Sequence, residues 1–438
     1  MKAEGEMDER QVSRNVSMVI LSGGFLLMGS SFASHDVVVP AYVQTLTNSS
    51  WMVGLTGALL RMGWVCPQIF VSRWIEPRER KKPIYLFANG ARGGLWLAIG
   101  LSTFLLQDSD LPGWIPDIKI TSFLTLYCLT TTAIGTANVP MLDVMGKAIP
   151  SRIRARSIAY RRLFGSSLAV IGGVLVSYIL SERSGLFFPD NYALLFVLAG
   201  IGMAAATLLF SLISEPTERR TRERMSLKSY LLGAWRLLKG DANYRRLCFF
   251  RSFEGLPTMA APFYVPFAIS VLRIKSAFVG VFVATVQIGR VCSNILWVYI
   301  GHRHGSRALL VYGSYVMAAS VVIPLLTPFV PERELSSAPS IDLRSAFFCL
   351  SFFLLGSASS GLASGRMSYV LDIAPPGRRP TYTSFLNLFM LPQVLVPLVA
   401  GWLVVSVSYS AAFLIAFVLA APAILLATSL TPQQGDAV

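Results

Sequence analysis

Twelve apolar stretches, each about as long as a bilayer crossing, dominate this 438-residue chain. Their approximate limits are 15–39, 51–73, 83–106, 121–145, 158–181, 191–213, 246–272, 276–299, 308–329, 344–370, 380–406 and 411–430. A helix rises about 1.5 Å per residue, so roughly 20 residues cross a hydrocarbon core about 30 Å thick. Hydrocarbon offers no hydrogen bonds, so runs of this length must satisfy their own backbone as helices. Charged residues are 14% of the chain, against about 25% in soluble domains. That is too few to cover a water-facing surface of this size.

The net charge of +15 could suggest a nucleic-acid partner, but its distribution argues against one. The basic residues sit in short runs between the apolar stretches. Arg73, Arg78, Arg80, Lys81 and Lys82 follow the second segment, and Lys147, Arg152, Arg154 and Arg156 follow the fourth. Arg303 and Arg307 follow the eighth, and Arg378 and Arg379 the tenth. The alternate loops are poor in Lys and Arg; the one after the third segment has Asp108, Asp110 and Asp117 against Lys119. By the positive-inside rule both termini are expected in the cytoplasm, with the chain in the cytoplasmic (cell inner) membrane. The start, Met1 to Arg10, is polar and mostly acidic, unlike a cleavable signal peptide.

The five cysteines form no CxxC pair and no His/Cys cluster, so neither a disulfide framework nor a metal site is expected. No Gly-x-x-x-x-Gly-Lys-Ser/Thr loop occurs, so ATP is not the expected energy source. No cofactor is expected. A membrane enzyme would cluster His, Asp or Glu at a helix end, and no such cluster is seen.

Residues 214–245 form the longest polar stretch. It opens with the charged run Glu218–Arg224. Leu227, Tyr230, Leu231, Ala234, Trp235 and Leu238 then recur at helical spacing, flanked by Lys228, Arg236 and Lys239. This predicts an amphipathic helix on the cytoplasmic membrane surface. The expected organisation is a six-helix bundle over 1–213, a cytoplasmic linker over 214–245, and a second six-helix bundle over 246–438.

The two bundles repeat one another at an offset of 226. Val39-Pro40 falls on Val265-Pro266, Val53-Gly54 on Val279-Gly280, Gly63 on Gly289, and Val65-Cys66 on Val291-Cys292. Gly135 falls on Gly361, Ala137 on Ala363 and Met141 on Met367. Matched Gly and Pro at one offset carry weight, because each marks a special backbone position. Parallel six-helix repeats of this kind resemble the major facilitator superfamily. That resemblance implies a fold of twelve transmembrane helices in two pseudo-symmetric six-helix bundles, an all-α membrane protein.

The superfamily's loop signature, Gly-x-x-x-Asp-Arg-x-Gly-Arg-Lys, is matched in outline after the second and eighth segments. Glu76, Arg78 and Arg80 carry the first copy, and Arg303, Gly305 and Arg307 the second, with His302 at the acidic position. An acid followed by Pro and Arg recurs as Asp143, Pro150 and Arg152, and as Asp372, Pro376 and Arg378. The resemblance implies that Glu76, Arg80, Asp143, Arg152, Arg303, Arg307, Asp372 and Arg378 form a cytoplasmic latch. The antiporter glycine motif of the fifth segment survives only as Gly172-Gly173, which disfavours a drug/proton antiporter and fits a close helix contact.

Ionisable residues inside spans are expensive and point to function. Arg61 lies near the middle of the second segment, with Gln287 as its repeat mate and Arg290 one turn on. Arg92 lies within the third segment, and Asn294 adds a polar group to the eighth. Arg61, Arg290, Gln287, Arg92 and Asn294 are the expected substrate contacts. Guanidinium favours carboxylate or phosphate, so the expected solute is an organic anion or amphiphile. Glu254, three residues after Arg251, and Asp36, beside His35, are the candidates for proton coupling. The expected activity is secondary transport of a small solute by a monomer in the bilayer, without covalent chemistry. The alternatives are a multidrug-type exporter and a receptor or assembly factor that kept the fold without transport.

Overall fold

The structure is a computed structural model that describes residues 8–75, 78–106, 117–216, 238–337, 340–374 and 379–431. Each of the twelve expected spans finds a helix, or a broken run of helices, among the described residues. α1 (Glu9–Phe32) and α2 (Val38–Thr47) form the first span. α3 (Ser50–Ile75), α4 (Lys82–Leu105), α5 (Ile118–Ala148), α6 (Ser151–Ile179) and α7 (Asp190–Ser211) form the next five. α8 (Ala242–Phe253), a short 3-10 turn and α9 (Ala261–Ser270) make the seventh.

α10 (Phe278–Leu326) holds the eighth and ninth spans in one run, divided at Gly305. Its φ of 75° lies in the left-handed region that only glycine enters cheaply, so the direction of the chain changes there. α11 (Leu343–Ile373) is the tenth span, α12 (Arg379–Leu388) with α13 (Val396–Ser406) the eleventh, and α14 (Tyr409–Val418) with α15 (Ala420–Ser429) the twelfth. Helix starts follow local chemistry. The side chains of Asp117, Asp241, Asp342 and Ser408 accept from the backbone N–H of Lys119, Tyr244, Ser345 and Ala411.

One departure from an all-helical chain is small. β1 (Glu334–Ser337) and β2 (Ser340–Asp342) pair antiparallel before α11. A polar stretch this short carries no strand periodicity in its sequence. The expected amphipathic linker helix falls largely outside the described residues.

Contacts divide the chain into two compact units. One comprises residues 1–42 and 59–224, the other 43–58 and 225–438. In the first unit α1 packs on α6 and α7, and α4 on α5 and α7. Its core is aromatic: Tyr42 meets Phe123 at 4.9 Å and Phe196 at 5.1 Å, and Trp96 stacks on Phe196 at 5.4 Å. In the second unit α10 packs along α11. Phe282 stacks on Phe352 at 4.4 Å, and Phe267 meets Phe413 edge-on at 5.2 Å.

The repeat is visible in packing. A side chain at Gly63 would strike Thr131 of α5, and one at its mate Gly289 would strike Phe353 of α11. Bare backbone at these matched positions lets the second and fourth spans of each half approach closely. Gly172 lies against Ser31 of α1, the close contact its sequence predicted.

Candidate functional site

The first and seventh spans are repeat mates, and both are interrupted. α1 ends at Phe32 and α2 resumes at Val38, leaving Ala33 to Val37 outside regular helix. His35 and Asp36 sit in this break, both part-buried. The seventh span breaks at Glu254, after α8, and resumes through a 3-10 turn at Pro257–Ala260. Each break brings a carboxylate into the interior, with Asp36 part-buried and Glu254 3% exposed.

In the first unit, Arg61 stands about half-way along α3 and lies within electrostatic reach of Asp36. Arg92 of α4 is buried, at 7% exposure. Its Nη2 donates to Ser30 Oγ at 3.3 Å, and Tyr85 and Tyr127 are the groups in its electrostatic reach. His35 Nδ1 pairs with Tyr127 Oη at 3.0 Å. The His35 ring lies 6.0 Å from that of Trp96.

In the second unit, Glu254 is 3% exposed and bridges two guanidinium groups. Arg366 Nη1 donates to both of its oxygens, at 2.8 and 2.9 Å, and Arg251 Nη1 donates to Oε1. The i, i+3 spacing of Arg251 and Glu254 predicted the first of these pairs. Gln393 secures the break by donating to the backbone carbonyls of Arg251 and Ser252. A side chain at Gly255 would strike Gln393.

Arg290 and Gln287 are part-buried on α10. Among the described residues Gln287 Oε1 is buried without a hydrogen bond. Asn294 is committed to packing, since its Oδ1 accepts from Ser360 Oγ of α11 at 2.5 Å.

The charged end of the first unit forms a network. Asp143 pairs with Lys81 and Lys147, both at 2.9 Å. Arg152, also named in the expected latch, is exposed. Lys147 is one turn from Asp143 on the same helix, and Lys81 begins the adjoining one. Glu215 accepts from the backbone N–H groups of Lys81 and Lys82 at 2.8 and 2.9 Å and lies 3.6 Å from Lys147. Asn15 of α1 donates to Ser214 O at 3.1 Å. Arg80 is exposed.

The second unit repeats the theme with a neutral donor. Ser306 Oγ donates to Asp372 Oδ2 at 2.6 Å, tying the bend at Gly305 to the end of α11. Arg307 donates instead to Thr428 O, and Arg303 to Tyr299 Oη at 2.8 Å. Glu76 and Arg378 lie outside the described residues.

Two participants went unrecognised in the sequence. Arg366 follows Gly365 inside the tenth apolar segment, where the rule for charges within spans would have flagged it. Arg161 lies at the start of the fifth, and its side chain covers Gly23 of α1. The association of Trp96, Tyr127 and His35 had no sequence signal, because aromatic residues in spans are ordinary core.

Residues 247–436 match the family model of the Major Facilitator Superfamily. No curated protein matches the chain by sequence. Several solved structures share its fold. The nucleoside transporter NupG has a TM-score of 0.64 at 12% identity, over 96% of this chain and 98% of that one. A D-xylose-proton symporter has 0.68 at 14%, over 97% and 99%. A bacterial homologue of the iron transporter ferroportin has 0.68 at 12%, over 97% and 99%. Multiple apolar helices and this fold make the chain a multi-pass membrane protein. The sequence of the second half matches the Major Facilitator Superfamily, and the fold of the whole chain is the one these transporters share.

Proposed function

We infer that the protein moves a small organic anion across the cytoplasmic membrane by alternating access, as a monomer with both termini inside. The observation that carries this reading is that the repeat-related first and seventh spans are both interrupted, each break bringing an acid and an arginine together. Broken helices are where many transporters built from repeats bind their solutes. A structural protein has no use for charge at such a place, because taking it out of water is costly.

The sign of the charge supports an anion. Around the breaks, Arg61 stands against Asp36 in the first unit, where Arg92 is also buried, and Arg251 and Arg366 stand against Glu254 in the second. Arg290 adds a further cation on α10. Asp36 is the group we assign to proton coupling. It lies near one guanidinium, whereas Glu254 is engaged by two and is committed to holding its break together.

Reconstituted vesicles with an imposed proton gradient test the reading. Radiolabelled carboxylates and phosphate esters should accumulate, and neutral or cationic analogues should not. Asp36→Asn should abolish accumulation while leaving solute exchange, since exchange needs no net protonation. Arg61→Ala should weaken transport more than Arg61→Lys, which keeps the charge but loses the planar fork. Uptake of cationic amphiphiles that survives Arg61→Ala would instead establish the multidrug reading. Failure to move any solute across the panel would favour a receptor or assembly role.

A further inference from the structure

Three buried hydrogen-bonding atoms behind the first break have no partner among the described residues: Arg92 Nε, Trp96 Nε1 and His35 Nε2. Arg92 is 7% exposed and Trp96 fully buried. They are i, i+4 on α4 and so share one face of that helix. The His35 ring lies 6.0 Å from Trp96 and 5.6 Å from Tyr127, and Arg92 reaches Ser30 just before the break. The three atoms therefore belong to one cluster.

Their chemistry has a common sense. Arg Nε and Trp Nε1 are donors only. His35 Nδ1 is engaged by Tyr127 Oη at 3.0 Å. When the phenol donates, the histidine proton sits on Nε2, and that atom becomes the third donor. A buried group of donors lacks acceptors. The guanidinium adds a positive charge whose electrostatic neighbours are the phenols Tyr85 and Tyr127, with a single 3.3 Å hydrogen bond to Ser30. Packing alone gains nothing from burying such a charge, because desolvation exceeds what one long hydrogen bond returns.

We propose that the Arg92, Trp96, His35 and Tyr127 cluster binds one carboxylate or phosphate group of the transported solute. Arg92 supplies charge and Nε–H, Trp96 and His35 supply N–H donors at the sides, and Tyr127 fixes the histidine tautomer. Arg61, answered by Asp36, is then a coupling partner rather than the main anion contact. This assignment rests on the transporter reading but can be tested apart from it.

The test uses the full chain in detergent and follows its thermal unfolding with benzoate, inorganic phosphate and the neutral match benzamide. Benzoate or phosphate should raise the midpoint, and benzamide should not. Trp96→Phe keeps the ring and deletes one donor to a charged acceptor, so the apparent anion affinity should fall at least about tenfold. Arg92→Gln should abolish the response. Tyr127→Phe should weaken it and shift it toward the benzamide pattern. If Arg92→Gln does not fold, Trp96→Phe and Tyr127→Phe decide the matter. Equal responses to benzoate and benzamide, no response to either anion, or an anion response unchanged in Trp96→Phe would overturn the proposal. Transport that persists with the anion response absent would leave transport standing without this site. An Arg92-dependent response in a chain that moves no solute would keep the site and refute transport.

Discussion

Replacing Glu254 by Gln is the sharpest single perturbation of the second unit. The carboxylate accepts from Arg366 at 2.8 and 2.9 Å and from Arg251, with only 2% of its side chain exposed. The cluster of two guanidinium groups and one carboxylate carries +1; the variant carries +2. Removing one member of a buried charge group leaves the others uncompensated, a loss of about 3–5 kcal/mol. Arg366→Gln should cost less, about 1–2 kcal/mol, for two reasons. Its side chain is 23% exposed, and Arg251 still answers Glu254. The double variant Glu254→Gln/Arg366→Gln restores the cluster to +1 and should recover part of the loss. Denaturant unfolding of all four proteins in detergent closes this cycle. If Glu254→Gln unfolds within about 0.5 kcal/mol of the parent, a margin typical of a neutral substitution, the ion-pair account of the seventh-span break is wrong. So it is if the double variant is no more stable than Glu254→Gln.

Three further outcomes follow from the geometry. Asp143→Asn should lose about 1 kcal/mol at most, because its side chain is 27% exposed and screened pairs with Lys81 and Lys147 are weak; a loss above about 3 kcal/mol in the same unfolding assay would contradict that. Gly54→Val should cost about 1–3 kcal/mol by overpacking, since its Cβ would stand 2.5 Å from Pro397 O; unchanged unfolding would refute the contact. In a cysteine-free background, an impermeant thiol reagent applied from outside should modify a Cys at exposed Glu182 and spare one at exposed Arg80. The reverse pattern would invert the orientation.

How much the sequence could reveal depended on the range of each interaction. Span limits are local, set by where apolar runs stop, and they agree with the helices to within a few residues for most segments. The first span shows where that reasoning fails. Apolar residues continue through Val37 to Val43, so the run gave no sign that helix stops at Phe32 and restarts at Val38. The Arg251–Glu254 pair was legible because it is three residues long. Arg366 joins the same carboxylate from 112 residues away, a partnership no spacing rule encodes. Arg92 stood out as a charge in a span, but its orphaned Nε and its neighbours His35 and Trp96 exist only once three helices have packed. Asp143 was recognised as a charged-end residue from its motif, but its partners Lys81 and Lys147 emerge only from the packed helices.

The contact between the start of α3 and α13 has a kinetic meaning. Gly54 meets Pro397 and Gly401, a side chain at Gly57 would strike Pro397, and Ser50 Oγ pairs with Tyr409 Oη at 3.1 Å. Glycines have no rotamers to freeze. Such a seam is held mainly by dispersion between backbones and loses little side-chain entropy each time it closes. The arginine cluster at Glu254 is the opposite kind of joint. It immobilises two side chains that each carry about 2 kcal/mol of rotamer entropy, so making and breaking it on every cycle would be slow. One joint of this unit is thus made of bare backbone and the other of long side chains held still.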